Sequence, residues 1–158
     1  MSARVPMDWR NPVHLLASGF GSGLAPRAPG TFGTLAALPL VVLLQSFSTW
    51  LYAGVTLLML GTGIFICARA ARDWGVGDHP AIVWDEMAGL LVTMSVAPHG
   101  AVWLFAGFAL FRLFDIVKPW PISSVDRHVH GGLGIMLDDV IAGIFAGFIL
   151  YLGARWLS

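Results

Sequence analysis

The sequence predicts an all-α protein, a polytopic membrane bundle of about five membrane-embedded helices with one hairpin arm short or re-entrant. Three observations carry that prediction. The chain of 158 residues is 57% hydrophobic and only 11% charged, against about 25% charged in soluble domains, so it cannot cover a core with a conventional solvated surface. Residues 28–68 form 41 consecutive uncharged positions, too many for one span of about 20 and suited to two. No segment shows the alternation of a barrel strand, and helices satisfy their own backbone polar groups in hydrocarbon. The length suits a single membrane-embedded domain over residues 1–158, with residues 1–30 as an interfacial N-terminal segment and Gly/Pro-rich loop.

The opening MSARVPMDWRNP carries positive charge but no apolar stretch directly behind it, and is not read as a signal peptide. The long uncharged run turns at Gln45 to Thr49, its most polar point. That places one helix over about Thr34 to Leu44, with Pro39 as a potential kink, and a second over about Trp50 to Ala71. A polar loop follows from Arg72 to Ala81. Next comes an uncharged run from Met87 to Phe111, broken at Pro98, His99 and Gly100. If this run crosses once, the basic residues divide six against three. If it doubles back, eight of the nine, Arg4 among them, share one side with only Arg155 opposite, which the positive-inside tendency prefers. The first arm, Trp84 to Ala97, then rises only about 21 Å, short of a hydrocarbon core of about 30 Å.

The final helix is expected over Asp139 to Trp156, with Gly143 and Gly147 in a GxxxG pattern that admits a neighbouring backbone. Trp50, Trp103 and Trp156 fall near one boundary and Trp74, Trp84 and Trp120 near the other, as two aromatic belts would. The single cysteine, Cys67, lies in an apolar stretch and reads as packing. Zero net charge without a basic run excludes nucleic acid as a natural partner.

In the doubled-back topology every acid lies on the side of the eight basic residues. Five of them, Asp85 with Glu86, Asp115, and Asp138 with Asp139, sit in or beside apolar helices. Carboxylates there are costly unless paired or bound to a cation. Hard oxygen donors suit magnesium or manganese. The competing reading is that they are interfacial caps, since Asp85 and Asp138 fall where N-caps are expected. Asp85 and Asp139 each open a DxxAG segment, which puts a carboxylate one turn from a small-residue patch; if those patches are helix contacts, both acids face the bundle interior.

Arg112, Asp115 and Lys118 recur every third residue before Pro119, sharing one helical face as metal ligand and phosphate contacts or as a salt-bridge ladder. The loop GFGSGLAPRAPGTFGT offers Arg27, Gly30 and Thr31 to a phosphate, although it has no Walker ending. HVHGGLGIMLDD places His128 and His130 before the paired aspartates. Hydrogen bonding is the stronger expectation for both, and His130 and Asp78 stand as secondary site candidates.

Four segments in order, GFGSGLAPRAPGTFG from Gly19, IVWDEMAG from Ile82, FRLFDIVKPWPI from Phe111 and DRHVHGGLGIMLDDVIAG from Asp126, resemble the bacterial phosphatidylglycerophosphatase A family. The resemblance extends from Asn11 almost to the C-terminus. It implies magnesium-dependent removal of the terminal phosphate of phosphatidylglycerophosphate in the bilayer, at the cytoplasmic side of the bacterial inner membrane. It also implies a multi-pass helical protein among membrane lipids. The family's acidic positions fall on Asp85, Glu86, Asp115, Asp138 and Asp139, which serve as the expected catalytic and metal-binding set. Lys118 falls in its KP pair, Thr31 in its PGT loop, and Arg27 at a spacer position of that loop.

The expected mechanism holds one or two magnesium ions, with manganese possible, on two or more of these carboxylates, while Lys118 with Arg112 or Arg127 offsets phosphoryl charge. The haloacid-dehalogenase DxDxT signature is absent, which favours direct attack of water. Alternatives are another phospholipid phosphatase or phosphotransferase, or a cation or proton transporter using the carboxylates.

Overall fold

In the computed structural model, residues 6–157 are described; Arg4, counted above among the basic residues of one side, lies outside them. The described residues form seven α-helices and no strand: α1 Pro12–Ala17, α2 Pro29–Gln45, α3 Thr49–Asp73, α4 Trp84–Met94, α5 Ala101–Val117, α6 Ile122–His128 and α7 Gly131–Leu157. The starts follow local chemistry. Asn11 Oδ1 accepts from the Val13 amide at 3.0 Å with Pro12 at the first helical position, and Ser48 Oγ accepts from the Leu51 amide at 3.3 Å. α5 ends at Lys118, whose left-handed backbone (φ 46°) precedes Pro119.

Side-chain neighbours fix the directions. Along α4 and α5, Glu86 meets Arg112, Gly89 meets Phe111 and Met94 meets Gly107, so the chain doubles back at Pro98–Gly100 as expected. α7 runs alongside α4, since a β-carbon on Gly143 would lie 2.6 Å from the Gly89 carbonyl and one on Gly147 3.2 Å from that of Thr93. α2 also runs with α4: Gly33 lies against Val83 at one end, while Leu44 and Met94 line one cavity at the other. α3 and α5 run the opposite way, with Gly63 against Met136 and Trp103 near Gly153. The starts of α2, α4 and α7 and the ends of α3 and α5 therefore meet at one end of the bundle. The DxxAG pair is the seam of this packing, because the missing side chains at Gly89 and Gly143 let α4 and α7 touch backbone to backbone.

α3 and α7 are long and apolar enough to cross a membrane, each with mean hydropathy 2.0. The outside of the bundle carries exposed Leu57, Leu58, Phe65, Phe105, Ile144 and Phe148, an apolar surface that lipid suits better than water.

Several expectations are corrected. α2 starts five residues early, at Pro29, and α4 stops at Met94, a rise of only about 16 Å. α7 begins at Gly131 rather than near Asp139, because the glycines of HGGLG are helical: a side chain on Gly132 would strike the Ile64 carbonyl. Asp138 is therefore inside a helix, and Asp85 follows Trp84 in α4, whose N-cap is Val83, so neither is a cap. Trp74 is no belt residue, being buried against His14 and His79. Trp84 is also turned inward, its indole donating to the Met59 carbonyl at 3.1 Å. Trp50, Trp120 and Trp156 are exposed as expected. Within residues 1–30, α1 docks on the end of α3, with His14 Nε2 3.2 Å from Asp73 Oδ2 and the Val83 amide bonded to the Ala17 carbonyl at 2.8 Å. Cys67 is buried with Sγ 3.9 Å from Met136 Sδ, a packing role.

Candidate active site

The charged end of the bundle gathers the acids in two neighbouring groups. In the first, α4 supplies Asp85 and Glu86 from its opening turn and α7 supplies Asp139, each offering an oxygen within 4.8 Å of the others. Asp85 and Asp139 are buried, at 7% and 3% exposure. From α5, Asp115 lies beside Asp139, and Arg112 enters between the arms. Arg112 Nη1 donates to Asp115 Oδ2 and lies 3.7 Å from Glu86 Oε1. Gly30, in the first turn of α2, closes this group: a β-carbon there would strike Glu86 Oε1 and lie 3.1 Å from both terminal nitrogens of Arg112.

The second group lies around the helix from Asp139. Lys118 Nζ donates to Asp138 Oδ2 at 2.6 Å and to Asp126 Oδ1 at 2.7 Å. Partial burial favours the neutral amine, but the two carboxylate bonds outweigh it and hold the Lys118 pKa above the ordinary lysine value. Asp78 and His130 line a cleft with Asp126 and Asp138.

The five acids thus do not form one cluster. Asp85, Glu86 and Asp139 converge with Asp115 behind them, whereas Asp138 is engaged by Lys118. Lys118, expected as a phosphate contact, is held in place by its bonds to Asp138 and Asp126. It does not extend the Arg112–Asp115 ladder, because its left-handed backbone turns it toward α6 and α7. Arg27 and Arg127 are exposed, with no ion pair among the described residues, and Thr31 is half-buried at the start of α2. His128 Nδ1 meets the Ser124 carbonyl at 2.7 Å, the hydrogen-bonding role expected of it. Asp126 is the residue that sequence reasoning missed. Its signal was its place at the head of DRHVHGG, a segment from which Arg127 and the histidines were taken and the aspartate was not.

The first group fits a divalent cation on its own geometry. Asp85 Oδ1 and Glu86 Oε2 are buried with no protein partner. Two ionised carboxylates with oxygens within 4.8 Å of each other repel by at least about 3.5 kcal/mol at an effective dielectric of about 20. One guanidinium faces three such charges, so the set lacks positive charge that hard oxygen donors take from magnesium or manganese. The fold and the site together define an all-helical, membrane-associated protein with a buried carboxylate centre at one end.

Comparison with known proteins specifies that class further. The family model described as Phosphatidylglycerophosphatase A matches residues 15–154, and the chain belongs to that family. It is 46% identical over 156 residues to the phosphatidylglycerophosphatase A of Escherichia coli (strain K12), covering 98% of this chain and 91% of the relative. It is 44% identical to that of Haemophilus influenzae, over 93% of this chain and 91% of the relative. A putative phosphatidylinositol-3-phosphatase of Bacteroides thetaiotaomicron is 38% identical over 90% of this chain and 93% of its own length. No solved structure matches the chain.

Proposed function

We propose that this protein hydrolyses the terminal phosphomonoester of phosphatidylglycerophosphate to phosphatidylglycerol and phosphate, at the Asp85–Glu86–Asp139 centre. The observation that carries the reading is the convergence of buried Asp85 and Asp139 with the partly buried Glu86, beside Arg112 and the start of α2, in a chain whose family relatives bear that activity in their names.

Asp85, Glu86 and Asp139 would hold magnesium, or manganese, which when bound supplies a Lewis acid toward the phosphoryl oxygens and toward water. Arg112 offsets charge on the phosphoryl group, aimed by its bond to Asp115. Gly30 keeps the α2 N-terminus close to Glu86 and Arg112, where the positive end of the helix dipole favours an anion. Asp115 is a positioning residue for Arg112. Lys118 positions α7 through Asp138. Arg27, Thr31 and Arg127 lie on the approach side and serve the anionic headgroup at longer range.

The apolar exterior and the one-ended charge support five embedded helices, α2, α3, α4, α5 and α7, with α4 short and shielded by its neighbours. The charged end then faces the cytoplasm of the inner membrane, following the positive-inside tendency. A single membrane domain of this shape keeps the acyl chains in the bilayer while the phosphate reaches the carboxylates.

The test is phosphate release from phosphatidylglycerophosphate in detergent, with and without magnesium, by wild type, Asp85→Asn and Asp139→Asn. Wild type is expected to release phosphate only with the metal, and both variants to be severely impaired. Equal release by all three would remove the site assignment.

A further inference from the structure

Asp85 and Glu86 owe their place to the residue that starts their helix. Val83 is the N-cap of α4 and has no exposed surface. Its carbonyl accepts from the Met87 amide at 3.1 Å, and this bond closes the turn that carries both acids. Its own amide has no partner inside the helix it caps, and donates instead to the Ala17 carbonyl at the end of α1, at 2.8 Å.

The Val83 side chain lies in a cradle of three glycines. A β-carbon on Gly33 of α2 would strike Val83 Cβ, one on Gly23 would lie 3.0 Å from Cγ1, and one on Gly19 2.9 Å from Cγ2. Gly19 and Gly23 belong to the segment between α1 and α2. Carbon atoms in ordinary contact keep about 3.5 to 4.0 Å apart, so bare backbone from two elements closes on the isopropyl group where side chains would not fit. A β-carbon on Gly19 would also lie 3.0 Å from Met87 Sδ, so this segment bears on both ends of the turn.

The clamp is joined to the site through α2. Gly30 and Gly33 are three residues apart and share one helical face. Gly33 rests on Val83, while Gly30 rests on Glu86 and on both terminal nitrogens of Arg112. The bulk of Val83 therefore sets how closely the start of α2 approaches Glu86. Side chains that serve a metal or a phosphoryl group must be held to within about 0.5 Å, and the two Val83 γ-carbons keep α2 and the α1–α2 segment at their distance from the turn.

We infer that Val83 is a positioning residue for the carboxylate centre: gripped by Gly19, Gly23 and Gly33, it fixes Asp85 and Glu86 relative to Arg112 and the start of α2. This rests on the phosphatase reading above and adds to it a residue that touches neither metal nor substrate.

The experiment compares Val83→Ala and Val83→Thr with Val41→Ala, which removes the same two methyl groups from another wholly buried valine, about 18 Å along α2 from Pro29. Each is measured in detergent for thermal unfolding, for manganese affinity by paramagnetic resonance titration of lipid-free protein, and for kcat and KM of phosphate release with magnesium. Both alanine variants are expected to unfold at lower temperature than wild type. Only Val83→Ala should also bind manganese about tenfold more weakly and lose about tenfold or more in kcat, with KM within about threefold. Val83→Thr keeps the branched shape but buries a hydroxyl, so it should unfold at lower temperature and yet keep manganese affinity and kcat within about threefold of wild type. Gly33→Ala attacks the clamp from the other side by parting α2 from Val83; it is expected to weaken manganese binding as Val83→Ala does, and carries the test should Val83→Ala not fold. Wild-type manganese affinity and kcat in these variants overturn the inference. So do equal losses in Val41→Ala, and so does a Val83→Thr as impaired as Val83→Ala, which would make burial rather than shape the contribution. A wild type that binds manganese but releases no phosphate overturns the phosphatase reading, while the manganese affinities still test Val83.

Discussion

Arg112 and Glu86 face each other from opposite arms of the α4–α5 hairpin, with Nη1 3.7 Å from Oε1, and the same nitrogen is bonded to Asp115. The guanidinium is thus fixed by two carboxylates from two helices. Both contacts run through the one terminal nitrogen Nη1 at the tip of the long side chain, a position that the compact ammonium of a lysine on its shorter stem does not reproduce. Arg112→Lys is expected to retain the fold and lose about tenfold or more in kcat, and Arg112→Met about 10² to 10³. Steady-state phosphate release, alongside thermal unfolding in detergent to confirm folding, measures both; wild-type kcat in Arg112→Met would remove Arg112 from the site.

The metal requirement divides the acids. Asp85→Asn and Asp139→Asn remove donors from the converging trio and are expected to weaken manganese binding by about 10- to 100-fold, measured by titration with paramagnetic resonance detection on lipid-free protein. Asp126→Asn, on the Lys118 side, should bind manganese as wild type does. A chelator should abolish phosphate release from wild type, and added magnesium should restore it. Equal weakening by all three variants would mean that the two acidic groups share one ion.

Lys118 stabilises by spanning Asp126 and Asp138. Removing it leaves Asp138 charged, largely buried and unpaired, which costs about 3 kcal/mol. Lys118→Met should therefore unfold at lower temperature than wild type, and the double variant Lys118→Met/Asp138→Asn should recover much of the loss. Absence of recovery would show that Lys118 acts through packing of its stem.

The seam between α4 and α7 gives a contrast between glycines. A β-carbon at Gly143 would lie 2.6 Å from the Gly89 carbonyl, whereas one at Gly61 meets nothing within 4 Å. Gly143→Ala should destabilise by about 1 to 3 kcal/mol as the helices are forced apart, while Gly61→Ala should gain up to about 1 kcal/mol from helix propensity. Thermal unfolding of both in one detergent tests the contrast, and an unaffected Gly143→Ala would mean the seam is loose.

The same seam shows what the sequence made legible. Uncharged runs located the long helices, and the DxxAG repeat pointed to small-residue contact patches that turn Asp85 and Asp139 inward, without saying that the two patches meet each other. The start of α7 was hidden because three glycines close together read as a loop, when Gly132 is required by the crowding of α3 and Gly134 by the Val129 carbonyl. α1 and α6 are too short to show a period, although Asn11 followed by Pro12 is a helix start that could have been read. The separation of Asp138 from Asp139 followed from helical geometry, but its partner did not. That Lys118 meets Asp138 depends on the left-handed turn before Pro119 and on where α6 carries the chain, neither of which residue spacing encodes.

The doubled-back hairpin makes a final prediction about topology. Because α4 and α5 are antiparallel, His99 at their turn and Ser46 at the α2–α3 turn belong to one end of the bundle, and Arg127 belongs to the other with the carboxylates. All three are exposed. In a Cys67→Ala background, cysteines at positions 46 and 99 should react with a membrane-impermeant maleimide from outside intact cells. A cysteine at 127 should react only after the membrane is opened. Labelling of 99 and 127 from the same side would require α5 to lie outside the bilayer. Labelling of 127 alone from outside would keep the hairpin but invert the protein, placing the carboxylate centre away from the cytoplasm.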